Sequence, residues 1–325
     1  MSTTRIYPPG GNIHRENRLR GWLWGLTAAL ILSLGSSGVL AAQEEEELPS
    51  PVELGGNDLV TKDGVQLAAT FYPGTQGKNT VPVVLLHMSK GDRKEYAGLA
   101  AYLQQRGHAV LVPDLRGHGD STTVLMGNTT QELDAAKMPP AQFTRMVQYD
   151  METLKSYLLR KNNEEELNIE KLCVVGAEMG ASVALDWARA DWSWPAYFGV
   201  GKQGQDVKAL VLISPKWSFP GLQLKSAMGH PAVLRQLSVL IVVGKGSSKE
   251  VRDASRLNSM FSRFHPEVPR EEAAEKQDLF YGRLDTKLQG TSMLGVRGLN
   301  LEAMIARFIE LRLSQQSYPW RERRR

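Results

Sequence analysis

A five-residue stretch between a buried strand and a helix carries the strongest chemical signal in the sequence. It reads GAEMG, with Gly176 and Gly180 at its ends, Ala177 and Met179 inside, and Glu178 at its centre. The two glycines suit a turn so tight that a Cβ at either position would collide with a neighbouring strand or helix. A strand, a G-x-x-x-G turn and a helix in this order predict a nucleophile elbow, which presents its central side chain at the edge of a sheet. Glu178 is therefore the first candidate site residue.

Two further segments ahead of this turn lie at the ends of predicted strands. The strand 81–87 ends at His87 and leads into Met88 and Ser89, and residues 114–121 read DLRGHGDS after the next strand. With the elbow, these segments resemble the α/β-hydrolase family over residues 58–313. Members of that family carry His-Gly ahead of the oxyanion-hole loop, where this chain has His-Met. The resemblance implies an α/β-hydrolase fold, in which His87, Met88 and Ser89 are candidate pocket or oxyanion-loop residues.

The resemblance places Glu178 at the nucleophile position, where it cannot act as a serine would. A serine attacks only because a neighbouring imidazole takes its proton, whereas a glutamate is already ionised. Some relatives use an aspartate there to form an alkyl-enzyme ester, so a carboxylate nucleophile remains an alternative, although it still needs a histidine-activated water. Otherwise Glu178 is either a pocket carboxylate that binds a cation or hydroxyl, or a drifted residue whose charge meets solvent or a nearby lysine.

The positions that the resemblance assigns to the catalytic acid and histidine are also filled differently. The histidine segment after the last strand reads DTKLQGTS over residues 285–292, and the two possible acid segments read GKGSS over 244–248 and SPKW over 214–217. Glu250 and Asp253 are nearby but are predicted to lie on the following helix. The last histidine of the chain, His265, precedes the last strand. Loss of a whole triad costs roughly a million-fold in turnover, so we expect no serine-type hydrolysis.

The histidines are expected to be structural rather than catalytic. We expect His87 to bond backbone at its strand end, His118 to support its loop and His108 to be exposed at a turn. His230 and His265 precede prolines in loops, from which either could approach the pocket. The sequence has no cluster with metal-ligand spacing and no phosphate-cradling glycine loop, so we expect no metal and no cofactor.

The N-terminal region has the order of an export signal. Basic residues precede an uncharged apolar run from Gly21 to Leu40, and Ala41, Ala42 and an acidic stretch follow. This order predicts a signal peptide in residues 1–42 or, alternatively, a membrane anchor, since about 20 apolar residues span a bilayer. In either case we expect a periplasmic, extracellular or membrane-anchored domain outside the cytoplasm. The single cysteine, Cys173, lies in an apolar run and is predicted to be buried.

The remaining chain is predicted to contain an acidic, proline-containing linker (43–55), one α/β-hydrolase-like domain (56–314) and a basic, solvated tail (315–325). Within the domain, strand-like and helix-like segments alternate, which favours a three-layer α/β fold with a mostly parallel sheet. Strands are predicted at 81–87, 109–113, 172–175, 207–214, 238–244 and 278–284, helices at 143–158, 181–189, 248–261 and 300–313, and a hairpin at 58–72. The connection 215–237 is short, so we expect no large lid and a shallow, open cleft.

Charge and composition narrow the class of partner. The formal net charge of +4 comes largely from arginines near the two ends, and the interior shows no basic stripe that would follow phosphates, so no nucleic-acid partner is expected. We expect an exported, non-catalytic protein that binds a small molecule or a protein. The alternatives are an esterase-like or peptidase-like hydrolase that uses Glu178 with a histidine from another loop, and a structural protein of an envelope complex.

Overall fold

The computed structural model describes residues 47–194, 202–222, 224–269 and 271–323. These residues belong to one compact unit, Glu47–Arg325, which holds every strand and both apolar clusters of the described chain. A unit with a complete core of its own can fold independently. The predicted signal peptide or anchor lies outside the described residues. Among those described, no helix is long and apolar enough to cross a bilayer.

The described residues form eleven strands and nine α-helices. The strands are β1 (Val52–Leu54), β2 (Val65–Gln66), β3 (Ala69–Tyr72), β4 (Pro82–Leu86), β5 (Ala109–Pro113), β6 (Thr123–Met126), β7 (Thr129–Glu132), β8 (Leu172–Ala177), β9 (Val207–Ile213), β10 (Ser238–Gly244) and β11 (Leu279–Leu284). The helices are α1 (Ala97–Gln104), α2 (Pro140–Arg145), α3 (Met151–Asn163), α4 (Met179–Trp192), α5 (Leu224–Ala227), α6 (Pro231–Gln236), α7 (Ser248–Phe261), α8 (Ala273–Lys276) and α9 (Leu301–Ile309).

The central sheet has eight strands in the order β1-β3-β5-β4-β8-β9-β10-β11, and β2, β6 and β7 form a small second sheet. Strands β1 and β3 run antiparallel to their neighbours, whereas β5, β4 and β8 to β11 are parallel to one another. The carboxyl ends of the parallel strands therefore meet at one edge of the sheet. In open α/β sheets this is the edge where ligands bind.

Alternation of side chains along each strand builds two apolar layers. In β4, Val84 and Leu86 join the layer that includes α3, α4 and α7, while Val83 and Leu85 join the layer formed with α1 and α9. A strand covered on both faces must be apolar throughout, which is why the continuous apolar runs predicted the parallel strands correctly. Cys173 in β8 is buried as predicted.

The short or polar segments agree with the predictions in part. Helix α7 spans the predicted residues 248–261. The hairpin predicted around Gly64 is present but short: Val60 pairs antiparallel with Gln66, and the Thr61 N–H donates to the Val65 carbonyl at 2.9 Å. The rest of the second arm, β3, joins the central sheet instead. The β6–β7 hairpin was missed because most of its residues are exposed and follow no apolar pattern.

The DLRGHGDS segment is held in place by buried ion pairs and hydrogen bonds. Arg116 is fully buried, and its guanidinium binds Asp150 at 2.6 Å and Asp63 at 2.8 Å. Asp150 lies on the π-helical turn Met146–Asp150 that joins α2 to α3. Ser121 Oγ donates to the Asp114 carbonyl at 2.7 Å and accepts the N–H of Ala68 at 2.8 Å. These bonds tie the loop after β5 to the helix that covers the sheet.

Both ends of the domain depart from the predicted organisation. Residues Val52–Leu54, inside the predicted linker, pair with β3 as an edge strand. Arg323, in the tail predicted to be solvated, is 7% exposed and binds Asp206 and Glu170. The tail packs because asparagine side chains hold its backbone: Asn163 Nδ2 donates to the Arg323 carbonyl at 2.7 Å.

Asp206 is the buried centre of this ion network. Lys155 Nζ lies 2.9 Å and Lys202 Nζ 3.0 Å from its carboxylate, and Arg323 binds it through both Nη atoms. Burial alone would raise the pKa of Asp206, but the charges of Lys155 and Lys202 and the hydrogen bonds from Arg323 hold it at about 2. The tail therefore completes the neutralisation of a buried charge.

We expect Arg323→Ala to lower the free energy of unfolding by about 3 kcal/mol, because it leaves a buried carboxylate short of a partner. Urea denaturation at neutral pH measures this loss. Because the folded pKa of Asp206 lies below the unfolded value of about 3.9, its contribution is full above that pH and is lost as the pH falls towards 2, less steeply in the variant. Arg321→Ala, an exposed control in the same tail, should leave stability unchanged. Equal stability of wild type and Arg323→Ala would contradict the prediction.

Candidate functional site

Glu178 occupies a strained turn between β8 and α4. Its φ of 48° and ψ of −102° place it outside the regions that L-residues favour. A Cβ on Gly176 would collide with the Gly180 carbonyl, and one on Gly180 would collide with the Leu86 carbonyl at the end of β4. The Glu178 N–H donates to the Ile213 carbonyl at 2.9 Å. The predicted elbow geometry is present, and both glycines are required by close backbone approach.

The Glu178 carboxylate forms an ion pair at the mouth of this turn. Its Oε2 lies 2.5 Å from Nζ of Lys216, and the two side chains are 17% and 25% exposed. Lys216 follows β9 in the SPKW segment, where a catalytic acid would otherwise lie. Glu178 also stands at the N-terminus of α4, where the helix dipole favours an anion. The sequence left open whether Glu178 binds a cation or hydroxyl in a pocket or meets solvent or a nearby lysine. The structure shows a nearby lysine.

The segment in the histidine position closes over the site with a neutral side chain. Gln289 Oε1 accepts the Ser214 hydroxyl at 2.7 Å, and its Nε2 donates to the Gly244 carbonyl at 2.9 Å. The next residue, Gly290, lies so close to the elbow that a Cβ there would stand 3.2 Å from Glu178 Cγ and 3.0 Å from Met88 Sδ. An amide therefore ties the ends of β9 and β10 to the loop after β11. Gln289 cannot exchange a proton near neutral pH.

The two histidines at the carboxyl edge of the sheet form hydrogen bonds with backbone groups. His87 Nε2 accepts the Leu115 N–H at 3.0 Å, so its Nδ1 carries the proton and donates to the Met88 carbonyl at 2.8 Å. His118 bonds the Arg116 carbonyl through Nδ1 at 3.0 Å, and the two rings lie 4.8 Å apart. Burial lowers the pKa of His87 to about 4 and also lowers that of His118. Both rings are thus neutral supports of the loops, as expected.

The other described histidines lie away from Glu178. His108 precedes β5 at the opposite edge of the sheet; it is 2% exposed, so the prediction of an exposed turn residue is wrong. The turn packs inward because β5 is central, and burial lowers the pKa of His108 to about 4. His265 bonds Asp278 at 2.7 Å, directly before β11 and also at the opposite edge. His230 begins α6 and is close to Arg189, near the far end of α4. Neither loop histidine approaches the elbow.

The loop of His87, Met88 and Ser89 contacts a carboxylate that sequence reasoning missed. Glu95 folds back over Gly91, where any Cβ would collide with its carboxylate. Its carboxylate lies near the Met88 backbone and accepts a hydrogen bond at 3.0 Å from the Thr291 hydroxyl. Burial raises the pKa of Glu95, and the charges of Asp92 and Glu178 raise it further, whereas the Thr291 hydroxyl and the Met88 backbone lower it. No motif marked Glu95, because its place depends on how the loop folds.

Met88 and Ser89, the other candidate residues of this loop, are both half-buried. Met88 is half-buried and packs against the apolar layer of α1 and α9, and Ser89 is half-buried in the turn closed by the Gly91 N–H and the Met88 carbonyl. Cavities of about 320 to 520 Å³ occur elsewhere on the described chain, and Glu178 lines none of these. Within the described ranges, no three His, Cys, Asp or Glu side chains are grouped so that they could hold a metal ion.

Comparison with known proteins agrees with the architecture. Residues 77–265, more than half of the chain, match the family model described as serine aminopeptidase, S33. No curated protein matches the sequence significantly. Similar solved structures include a dienelactone hydrolase from Anabaena variabilis (14% identity, TM-score 0.51, covering 82% of this chain and 100% of that one) and the Pyrococcus furiosus esterase Pf2001 (14%, 0.54, 81% and 91%). At this identity, the likeness to solved structures concerns the fold alone, and the predicted α/β-hydrolase fold is confirmed.

Buried, neutral histidines should be visible in a titration. We expect the His87 and His108 rings to remain neutral until the pH approaches about 4, because burial disfavours the imidazolium. Proton–carbon NMR of the imidazole Cε1 groups measures this, with His87→Gln to assign the signal. Since the unfolded pKa is about 6.5, both residues stabilise the fold fully above that pH and progressively less as the pH falls to about 4. A His87 signal that titrates near the unfolded value would disprove the assigned bonding.

Proposed function

The chain belongs to the serine aminopeptidase S33 family of α/β hydrolases, and we propose that it is a non-catalytic member that binds a ligand or protein partner. One observation carries the proposal: the elbow holds a carboxylate paired with Lys216 at 2.5 Å, and no imidazole reaches it in the described chain. Acyl transfer needs a base beside the nucleophile, and Glu178 has an ammonium there instead. A cationic neighbour stabilises the carboxylate and reduces its tendency to attack.

The oxyanion hole supplies a second, independent argument. In this fold the hole is formed by the N–H of the residue after the nucleophile and by an N–H from the loop after the third strand of the family. Here these residues are Met179 and Met88. The Glu95 carboxylate lies near the Met88 backbone, which places an acidic group close to where negative charge would have to develop. Loss of one such donor costs about a hundredfold to a thousandfold in turnover, in addition to the loss of the triad.

A binding role is supported by what the site retains. A residue in a sparsely populated backbone region costs about 1 to 3 kcal/mol, and the chain bears this cost at Glu178 without a serine to present. The Glu178–Lys216 pair is partly exposed at the carboxyl edge of the sheet, where it offers one acceptor and one donor of opposite charge. Such a pair suits a polar small molecule or a charged partner side chain. From the order of residues 1–42, we propose that binding takes place outside the cytoplasm.

A working hydrolase with Glu178 as nucleophile or base is the second candidate. It is favoured by the intact elbow and by the family of the chain. It requires the water that opens an ester intermediate to be activated by some group other than the five described histidines, which bond backbone or lie away from the elbow. The two candidates make opposite predictions for the wild-type protein.

We expect purified residues 43–325 to hydrolyse p-nitrophenyl acetate, p-nitrophenyl butyrate and aminoacyl p-nitroanilides only at the rate of buffer. Glu178→Ala should leave this rate unchanged, and Glu178→Ser should not raise it, because a serine would still lack a base. Release of p-nitrophenol or p-nitroaniline is followed by absorbance. Glu132→Ala removes an exposed carboxylate on β7 and serves as the matched control.

The outcomes separate the two candidates. Turnover by wild type and by Glu132→Ala that is abolished in Glu178→Ala would make Glu178 a catalytic residue and would overturn the proposal. Background rates in all four proteins, with circular dichroism melts that coincide, would support it.

A further inference from the structure

Helix α7 and the turn directly after it carry a row of basic side chains that the linear sequence did not reveal as a stripe. Lys249, Arg252, Arg256 and Arg263 are all exposed, and the first three follow one another at helical spacings of three and four residues. Residues at these spacings share one face of a helix. The opposite face, with Ala254, Leu257 and Phe261, is buried under the sheet. The fold therefore groups basic residues on one surface although they are spaced apart in the linear sequence.

Aromatic rings hold two arginines of this face in place. The Arg256 guanidinium lies 3.6 Å from the centroid of the Trp217 ring, in the loop after β9. Arg235, on α6, lies 5.0 Å from the ring of Phe264, which is 38% exposed just beyond α7. A guanidinium stacked on a ring keeps its in-plane N–H donors free for a planar, charged acceptor. The rings thereby hold the guanidinium groups of Arg235 and Arg256 in position, with N–H donors at the protein surface.

The acidic residues of α7 do not neutralise this row. Glu250 accepts a hydrogen bond from the Ser247 hydroxyl at the start of the helix. Asp253 accepts one from the backbone N–H of Trp217 at 3.2 Å. Asp253 also lies 3.6 Å from Lys249, the single basic residue of the row that has an acidic partner. In the part of the chain that the structure describes, Arg252, Arg256 and Arg263 form no salt bridge. We call these three residues with Lys249 and Arg235 the α7 basic face.

We propose that the α7 basic face binds the surface of an anionic phospholipid bilayer. A 14-residue helix presents a straight ridge about 21 Å long, which can lie along a plane and reach several phosphates at once. Arginine forks match phosphate oxygens in pairs, and basic residues near a bilayer each add to binding of anionic lipid. The exposed ring of Phe264 beside this ridge can insert at the boundary between headgroups and acyl chains, as apolar residues of interfacial helices do. The proposed site shares no residue with the Glu178–Lys216 pair, although Trp217, which supports Arg256, directly follows Lys216.

The nature of the face favours lipid over nucleic acid. Two exposed or half-exposed rings flank the cations, and both are held by an arginine instead of standing free to stack on bases. The segment from Gly21 to Leu40, predicted to be part of a signal peptide or a membrane anchor, would bring the domain to a membrane during export or keep it there. Nucleic-acid binding is therefore the competing outcome of the experiment below.

The test is co-sedimentation of residues 43–325 with vesicles of phosphatidylcholine alone or of equal parts phosphatidylcholine and phosphatidylglycerol. We expect binding to the anionic vesicles, weakened by salt, and none to the neutral ones. The variant Arg252→Gln/Arg256→Gln/Arg263→Gln should bind about a hundredfold more weakly, because each basic residue contributes roughly fivefold. The matched control Arg160→Gln/Arg297→Gln/Arg307→Gln removes the same charge from exposed sites elsewhere and should bind like wild type.

Several results would overturn the proposal. Absence of binding to anionic vesicles would do so, as would an equal loss in both triple variants, which would show a general effect of net charge. Binding of a DNA duplex that only the α7 variant loses, without vesicle binding, would assign the face to nucleic acid. Because Arg256 also packs on Trp217, the double variant Arg252→Gln/Arg263→Gln is measured as well. It should lose about twenty-fivefold while its thermal unfolding coincides with wild type.

Discussion

The first turn of α4 lies against the end of β4 so closely that Gly180 has no room for a side chain beside the Leu86 carbonyl. This approach fixes where the helix begins, and it forces the residue before the helix into a strained conformation with φ of 48°. The side chain of Glu178 is thereby aimed at the carboxyl edge of the sheet. Every other feature of the site is arranged around a side chain whose position the backbone packing has already fixed.

A carboxylate in that position creates an electrostatic demand that a serine would not. Glu178 is mostly buried, and an ionised buried group needs a partner. Lys216 supplies the countercharge from the end of β9, and the N-terminus of α4 adds a favourable dipole. With no imidazole to accommodate, the loop after β11 can approach until Gly290 touches the elbow, and Gln289 then bonds the ends of two strands. The exchange of one residue type is thus consistent with the rearrangement of the loops around it.

Hydrogen-bonding capacity, more than residue identity, separates structural from reactive groups in this chain. His87 lies beside the elbow, yet both of its nitrogens are occupied by backbone atoms and its pKa is lowered to about 4 by burial. Arg116 is equally committed to Asp63 and Asp150. By contrast, the arginines of the α7 basic face keep donors without acidic partners within the described chain. Side chains whose hydrogen-bond donors are not used within the fold are the ones available to bind a partner.

The fold and the position of the site followed from the sequence because both depend on local patterns. Apolar runs such as those of β4 and β10 predict strands buried on both faces, and the glycine spacing around Glu178 predicts the elbow by a steric argument that needs no partner. The absence of a histidine after the last strand was equally visible. These features are encoded within a few neighbouring residues.

Contacts between distant segments were decided only by the tertiary structure. Three contacts join residues that no sequence pattern links: the pairing of Glu178 with Lys216, the hydrogen bond from Thr291 to Glu95 and the ion pair of the buried Arg323 with Asp206. The basic face of α7 was latent in the spacing of Arg252 and Arg256, but its exposure depends on which face of the helix the sheet buries. The sequence by itself determines how apolar residues recur along each helix and strand. The pairing of charges and the exposure of side chains depend on the neighbours that the fold brings together.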